Sequence, residues 1–174
     1  MPSWIQRYAR QLRHRFLDRN ANHALPPVAR ERIVQAIAAS EALHTGQIRV
    51  YVETALPWSY IRRDAPARDR ALMEFSKQRV WDTEHNNGVL IYLLLAEHAI
   101  EIVADRALAR QVSTAQWQAI VAQLRTDLRS NQYEDALRKA ITGVSALLEQ
   151  HFPRNAASHD DAGNELPDAP VVRA

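Results

Sequence analysis

The stretch Val89-Leu90-Ile91-Tyr92-Leu93-Leu94-Leu95-Ala96 is apolar at every position. A strand with one face in water alternates. A run with no polar member is buried on both faces, as in a central strand covered by helices. These eight residues fall far short of the ~20 that cross a bilayer. Glu97-His98 follows, then Ala99-Ile100-Glu101-Ile102-Val103-Ala104, with Ile100 and Ile102 on one face. That reads as a hairpin with its tip at Glu97-His98. The tip lacks the Gly or Asn-Gly of a tight primed turn, so a longer loop is expected.

Upstream, residues 47–53 alternate, with Ile48, Val50 and Val52 on one face and Gln47, Arg49, Tyr51 and Glu53 on the other. This predicts a half-buried strand. Between the two strands lie a loop over 56–66 and a helix over 67–81. In that helix Leu72 and Phe75 share one line, with Met73 and Val80 beside it. Strand–helix–strand implies a parallel pair with a right-handed crossover. The return strand adds an antiparallel partner. The expectation is a three-layer α/β/α sandwich with a small mixed, Rossmann-like sheet.

The remaining helices are read from spacing. Pro26-Pro27 suits a helix start, with Ile33, Val34 and Ile37 as its buried stripe. Ser113 and Gln116 have capping-box spacing before Trp117, Ile120, Leu124 and Leu128. A last helix spans about 132–150 and is closed by Pro153. Residues 4–19 carry Trp4, Ile5, Tyr8, Leu12 and Phe16 at helical spacing, with five arginines against the single Asp18. Residues 1–22 therefore form a basic amphipathic helix that packs on the domain or a second subunit, or lies on a membrane. Residues 23–153 form the domain. Residues 154–174 hold few large apolar groups and are expected to be a flexible, irregular tail.

Composition narrows the chemistry. The 174 residues contain no cysteine, which excludes disulfides, thiolate catalysis and iron–sulfur clusters. Four glycines and no GxGxxG or GxxxxGK[ST] exclude a phosphate loop. A formal net charge of +2 gives no argument for nucleic-acid binding, and none is expected. No apolar run follows the basic start as a signal peptide requires, so a cytoplasmic location is expected. Trp4, Trp58, Trp81 and Trp117 share no repeat interval and read as packing residues.

The topology brings three segments to one edge of the sheet: His44-Thr45, Asp82 to Asn87, and Asp105-Arg106. Glu53 meets Glu97-His98 at the opposite edge. The first edge offers oxygen ligands from Asp82, Glu84, Asn87 and Asp105. Hard cations take several such ligands from loops, so these residues are a candidate calcium or magnesium site. Metal-bound water there would support phosphate-ester hydrolysis. The bland alternative is turn chemistry: Asn86-Asn87-Gly88 builds a turn unaided, and Asp105 can bond backbone amides. His44 and His85 are candidate general acid/base groups on that edge, against ordinary hydrogen-bonding histidines. No HExxH and no GxSxG occurs.

Several separate strings resemble the TPM domain family, in its small stand-alone bacterial branch. They are His44-Thr45-Gly46-Gln47-Ile48-Arg49-Val50, the run from Asn87 to Ala96, Ile100 to Arg106, Leu147 to Pro153, Asn164 to Asp168, and Pro170-Val171-Val172. The resemblance covers about residues 30–172. It implies a compact α/β/α sandwich. Related domains include a plant thylakoid-lumen protein tied to photosystem II repair, for which weak acid phosphatase activity is claimed, and members that bind calcium. Two positions depart from the pattern. Ala107 stands where the family usually has Gly after Asp-Arg, and Gln78-Arg79-Val80-Trp81 replaces a common Leu-Gly-Met. The expected function is a binding or accessory domain that acts through a protein or membrane partner. The alternative is a weak divalent-metal-dependent phosphatase. The oligomeric state stays open.

Overall fold

The protein is described from a computed structural model, which covers residues 8–12, 14, 21–154 and 164–173. The elements run α1 (Ala21–Ala24), α2 (Pro27–Glu41), β1 (Ile48–Glu53), α3 (Trp58–Arg62), α4 (Ala67–Lys77), β2 (Val89–Leu94), a 3-10 turn (Leu95–Glu97), β3 (Ala99–Ala104), α5 (Arg106–Gln111), α6 (Thr114–Arg129), α7 (Tyr133–His151) and β4 (Val171–Arg173). The sheet order is β3-β2-β1-β4. β1 and β2 are parallel, with Val50 opposite Ile91, and β2 and β3 are antiparallel, with Ile91 opposite Ile102.

Two apolar layers hold the sheet. On one face Ile48, Val50, Val52, Ile91 and Leu93 meet Ile33 and Ile37 of α2, Leu124 and Leu128 of α6, and Ile141, Val144 and Leu148 of α7. On the other, Leu90, Tyr92 and Leu94 meet Tyr60 and Ile61 of α3, Ala67 and Ala71 of α4, and Val80. This is the expected three-layer sandwich, and all six residues of β2 are buried. Among the described residues no helix is long and apolar enough to cross a membrane.

The structure corrects several expectations. The hairpin tip is a 3-10 turn over Leu95–Glu97 followed by His98 at φ 47, so the loop is indeed longer than two residues. Within the expected loop 56–66 lies α3, and α5 follows β3, capped by Asp105. The helix expected over 67–81 stops at Lys77. There Val80 N–H donates to Phe75 O and Arg79 N–H to Ser76 O, each at 3.1 Å, with Arg79 at φ 56. That is a Schellman stop with arginine in the left-handed position. α4 also turns largely away from its apolar pattern, of which Phe75 stays partly buried against the layer. Leu72 and Met73 are exposed, while Ala67, Arg70, Ala71 and Glu74 are buried. The two alanines let the helix lie close to the sheet.

β1 is buried at all six positions, not half-buried. Helices α3 and α4 cover its second face, and β4 pairs with its outer edge through Tyr51 to Val171 and Glu53 to Arg173. Of the expected irregular tail, Val171–Arg173 form a sheet strand while residues 164–170 have no regular secondary structure, and Leu166 is buried against the α3/α4 layer.

Of the helix expected over 4–19, residues 8–12 and 14 are described and helical. Trp4, Ile5 and Phe16 lie outside the described residues. Arg10 docks on the domain through Glu97 (2.7 Å), Asp64 (2.9 Å) and the Ala65 carbonyl (2.7 Å). His14 adds Glu97 Oε1 at 2.8 Å.

Candidate functional site

The edge before β1 and β2 holds the residues singled out for chemistry. His44 is fully buried. Its Nε2 lies 2.8 Å from Ser40 Oγ and its Nδ1 3.1 Å from the Gly46 carbonyl. Both ring nitrogens are used, and burial pulls its pKa down to about 4. It is a neutral hydrogen-bonding residue that ties α2 to the start of β1. His85, by contrast, sits half-buried on the loop before β2.

Asn87 is fully buried, donating from Nδ2 to Thr45 Oγ1 at 3.2 Å. Its N–H donates to Thr83 Oγ1 at 3.2 Å. Asp105 caps α5 through Oδ1, 2.6 Å from Arg106 N, while Oδ2 is buried with no hydrogen-bond partner among the described residues. The loop 86–88 and the start of α5 are stitched together by Asp105 N–H to Gly88 O (2.8 Å) and Ala107 N–H to Asn86 O (3.0 Å). Asn86 has φ 50, the left-handed conformation that asparagine tolerates. Ala107 lies inside α5, a helical position that needs no glycine.

The other two expected ligands sit apart from this stitch. Asp82 is exposed and pairs with Arg79. Glu84 is exposed, and its N–H donates to Glu165 Oε2 at 3.0 Å. Among the described residues, no three His, Cys, Asp or Glu side chains gather in a way that could hold a metal ion. Asn87 and Asp105 thus share the edge, and Asp82 and Glu84 do not complete a ligand set with Asp105.

Beside them lies a cavity of about 430 Å³ lined by Glu41, Gln47, Arg154, Asn164 and Asp168. Glu41 accepts the Ile48 N–H at 2.8 Å. Burial, helped by the nearby Asp168 charge, pushes its carboxyl up to about 7 despite that bond.

The opposite edge carries a cluster that sequence reading missed. Glu53, at the end of β1, takes both prongs of Arg70, at 2.6 and 2.8 Å, and the Tyr92 hydroxyl at 2.7 Å. Glu74 Oε1 lies 2.8 Å from Arg70 Nη2, and Arg173 Nε lies 3.9 Å from Glu53. Burial would lower the Arg70 pKa, but the two carboxylates overcome it and raise it. Burial and the Glu53 charge raise that of Tyr92. One signal was present in the sequence: Arg70 and Glu74 stand four apart among Ala67 and Ala71.

A second opening, a groove of about 870 Å³, runs between β3 and α6 and is walled by Ile100, Ile102, Trp117 and Val121, with Arg68 and Arg125 on its rim. β3 is an edge strand. Asp105 N–H points to β2, so alternation turns the backbone groups of Ile100, Ile102 and Ala104 outward. Arg68 Nη1 caps the outward Ile102 carbonyl at 2.5 Å and lies 3.6 Å from Glu101.

Comparison with known proteins agrees with this architecture. A family profile described as the TPM domain matches residues 19–147. No curated protein matches the chain. Among solved structures, the chain is similar to the NMR structure of BA42 protein from the psychrophilic bacterium Bizionia argentinensis. The TM-score is 0.72 at 24% identity, over 85% of this chain and 94% of that one. At that identity the likeness is one of fold.

Proposed function

The chain belongs to the TPM domain family, and from that premise we propose that it works as a binding or accessory module for a protein partner. The observation that carries this reading is the groove between β3 and α6. Among the described residues no strand pairs with the outer edge of β3, and such an edge beside an apolar wall suits an extended segment added as a further strand. Arg68 and Arg125 on the rim outnumber Glu101, so the segment it fits carries a carboxylate side chain. Arg68 holds the Ile102 carbonyl until such a carboxylate takes its place. An unguarded edge would invite aggregation, and a capping arginine prevents this.

The test is selection of peptides from a random display library on the whole protein. Enriched sequences should alternate apolar residues with an acid. The exposed lining substitution Ala122→Arg should weaken them by at least about tenfold. Binding that is indifferent to Ala122→Arg removes the proposal.

The alternative, a divalent-cation site supporting phosphate-ester hydrolysis, keeps one supporting observation, the buried Asp105 Oδ2 without a partner. Calcium or magnesium that raises the melting temperature in wild type but not in Asp105→Asn would favour it. So would turnover of p-nitrophenyl phosphate that depends on the same residue.

A further inference from the structure

The polar face of β1 presents a problem of its own. Gln47, Arg49, Tyr51 and Glu53 alternate with the apolar core positions, yet all four are buried. Buried polar groups need partners. All four meet a group of the C-terminal segment Asn164-Glu165-Leu166-Pro167-Asp168-Ala169-Pro170-Val171-Val172-Arg173.

Gln47 Oε1 accepts the N–H groups of Glu165 (3.0 Å) and Leu166 (3.1 Å). Arg49 Nη1 donates to the carbonyls of Pro167 and, at 2.7 Å, Ala169. Thr54 donates from both N (3.0 Å) and Oγ1 (3.2 Å) to the Arg173 carbonyl. Between these points Val171 and Val172 pair with Tyr51 and Val52. Two side chains complete the fit. Leu166 enters the apolar layer, and the Arg173 guanidinium faces Glu53 and the Tyr51 hydroxyl. Most of these contacts read backbone, and Pro167 and Pro170 hold that backbone extended at low entropic cost.

We propose that the outer edge of β1 is a peptide-binding groove for segments of the type Leu-Pro-x-x-Pro-Val-Val-Arg, filled in this chain by residues 164–173 and able to take the same segment from a second copy. The body supplies the reading groups from a rigid central strand: Gln47, Arg49, Thr54 and Glu53. The segment supplies one apolar anchor, a short parallel ladder and one terminal cation. It joins the body through residues 155–163, so in one chain it binds at a high effective concentration and needs little intrinsic affinity. Exchange between two copies reuses every contact, the low-cost route to a two-fold dimer.

The test uses the whole chain with a protease site placed within 155–163 and cut after folding. A fluorescent peptide of residues 164–174 should exchange for the severed segment, followed by anisotropy. Leu166→Asp in the peptide, which cannot disturb the folding of the body, should weaken binding by at least about tenfold. Arg49→Ala in the body should do the same. Uncut chain at high concentration should form a dimer that added peptide dissolves, read by light scattering. A scrambled peptide that binds equally well overturns the groove. Tight peptide binding with no dimer at millimolar chain overturns exchange between copies.

Discussion

Glu53 and Arg70 form a two-pronged ion pair in which both side chains are 2% exposed. The pair joins the end of β1 to α4, and Tyr92 and Glu74 share it. Removing Arg70 leaves Glu53 and Glu74 buried, with the half-exposed Arg173 guanidinium 3.9 Å from Glu53 as a poor substitute. Arg70→Met should therefore cost about 3–5 kcal/mol in urea unfolding. Arg70→Lys, which keeps the charge but loses the fork, should recover only part of that. A loss under ~1 kcal/mol would show that water reaches the cluster.

Arg79 ends α4 in a left-handed conformation at φ 56. An L side chain pays roughly 1–2 kcal/mol there, and glycine gives back roughly 0.5–1 kcal/mol through its freer unfolded chain. Arg79→Gly should thus stabilise the fold by about 0.5–1 kcal/mol. Its ion pair with Asp82 is exposed, so its loss should matter little. Unchanged or lowered stability would mean that this pair outweighs the backbone strain.

Gly88 is needed for space. A Cβ added there would lie 2.0 Å from the Val80 carbonyl oxygen. That oxygen is backbone and cannot swing aside. Gly88→Ala must displace the loop before β2, at a cost of roughly 1–3 kcal/mol. Amide exchange at Asp105, whose N–H bonds the Gly88 carbonyl, should speed up with it. Normal exchange at Asp105 would place the accommodation elsewhere.

Glu41 and His44 give opposite pH dependences. The Glu41 carboxyl is raised from 4.5 to about 7, so its contribution is full below pH 4.5 and is lost as pH rises through 7. His44 is lowered from 6.5 to about 4, so its contribution is full above pH 6.5 and is lost as pH falls through 4. Glu41→Gln keeps the acceptor for Ile48 N–H and removes the first effect. Its stability relative to wild type should rise between pH 4.5 and 7 and level off above, in urea titrations. A difference that stays flat across this window would mean that Glu41 ionises normally.

Arg10 ties the N-terminal segment to the hairpin tip. Its bonds to Glu97, Asp64 and the Ala65 carbonyl are all partly buried. Arg10→Ala should lower stability by about 1–3 kcal/mol, the range for hydrogen bonds to charged groups and for partners left unmet. Differential scanning calorimetry would read it as a lower melting temperature, and no change would make the docking incidental.

Much of the fold was legible because periodicity reports burial. The unbroken run Val89 to Ala96 named the central strand, and the alternation before it named the parallel partner. Ser113 and Gln116 marked the start of α6, and the structure shows the full capping box. The candidate site was legible only as a list of neighbours. Strand order brought Asn87 and Asp105 to one edge, but the direction of each loop side chain depends on bonds made after folding. Asp82 turns to Arg79, and Glu84 lies beside Glu165, 81 positions away.

By itself, then, the sequence determined the layers, the strand directions and the shared edge, because apolar spacing along one segment is a local property. Only the tertiary structure decided what covers the polar face of β1 and which way α4 turns. Both depend on charges that become tolerable when distant groups meet. Arg70 is buried because Glu53 waits at the end of another element, and Arg49 because carbonyls 118 and 120 residues away reach it. A hydrophobicity pattern reads each such residue as solvent-facing, since the pattern contains no information about its partner.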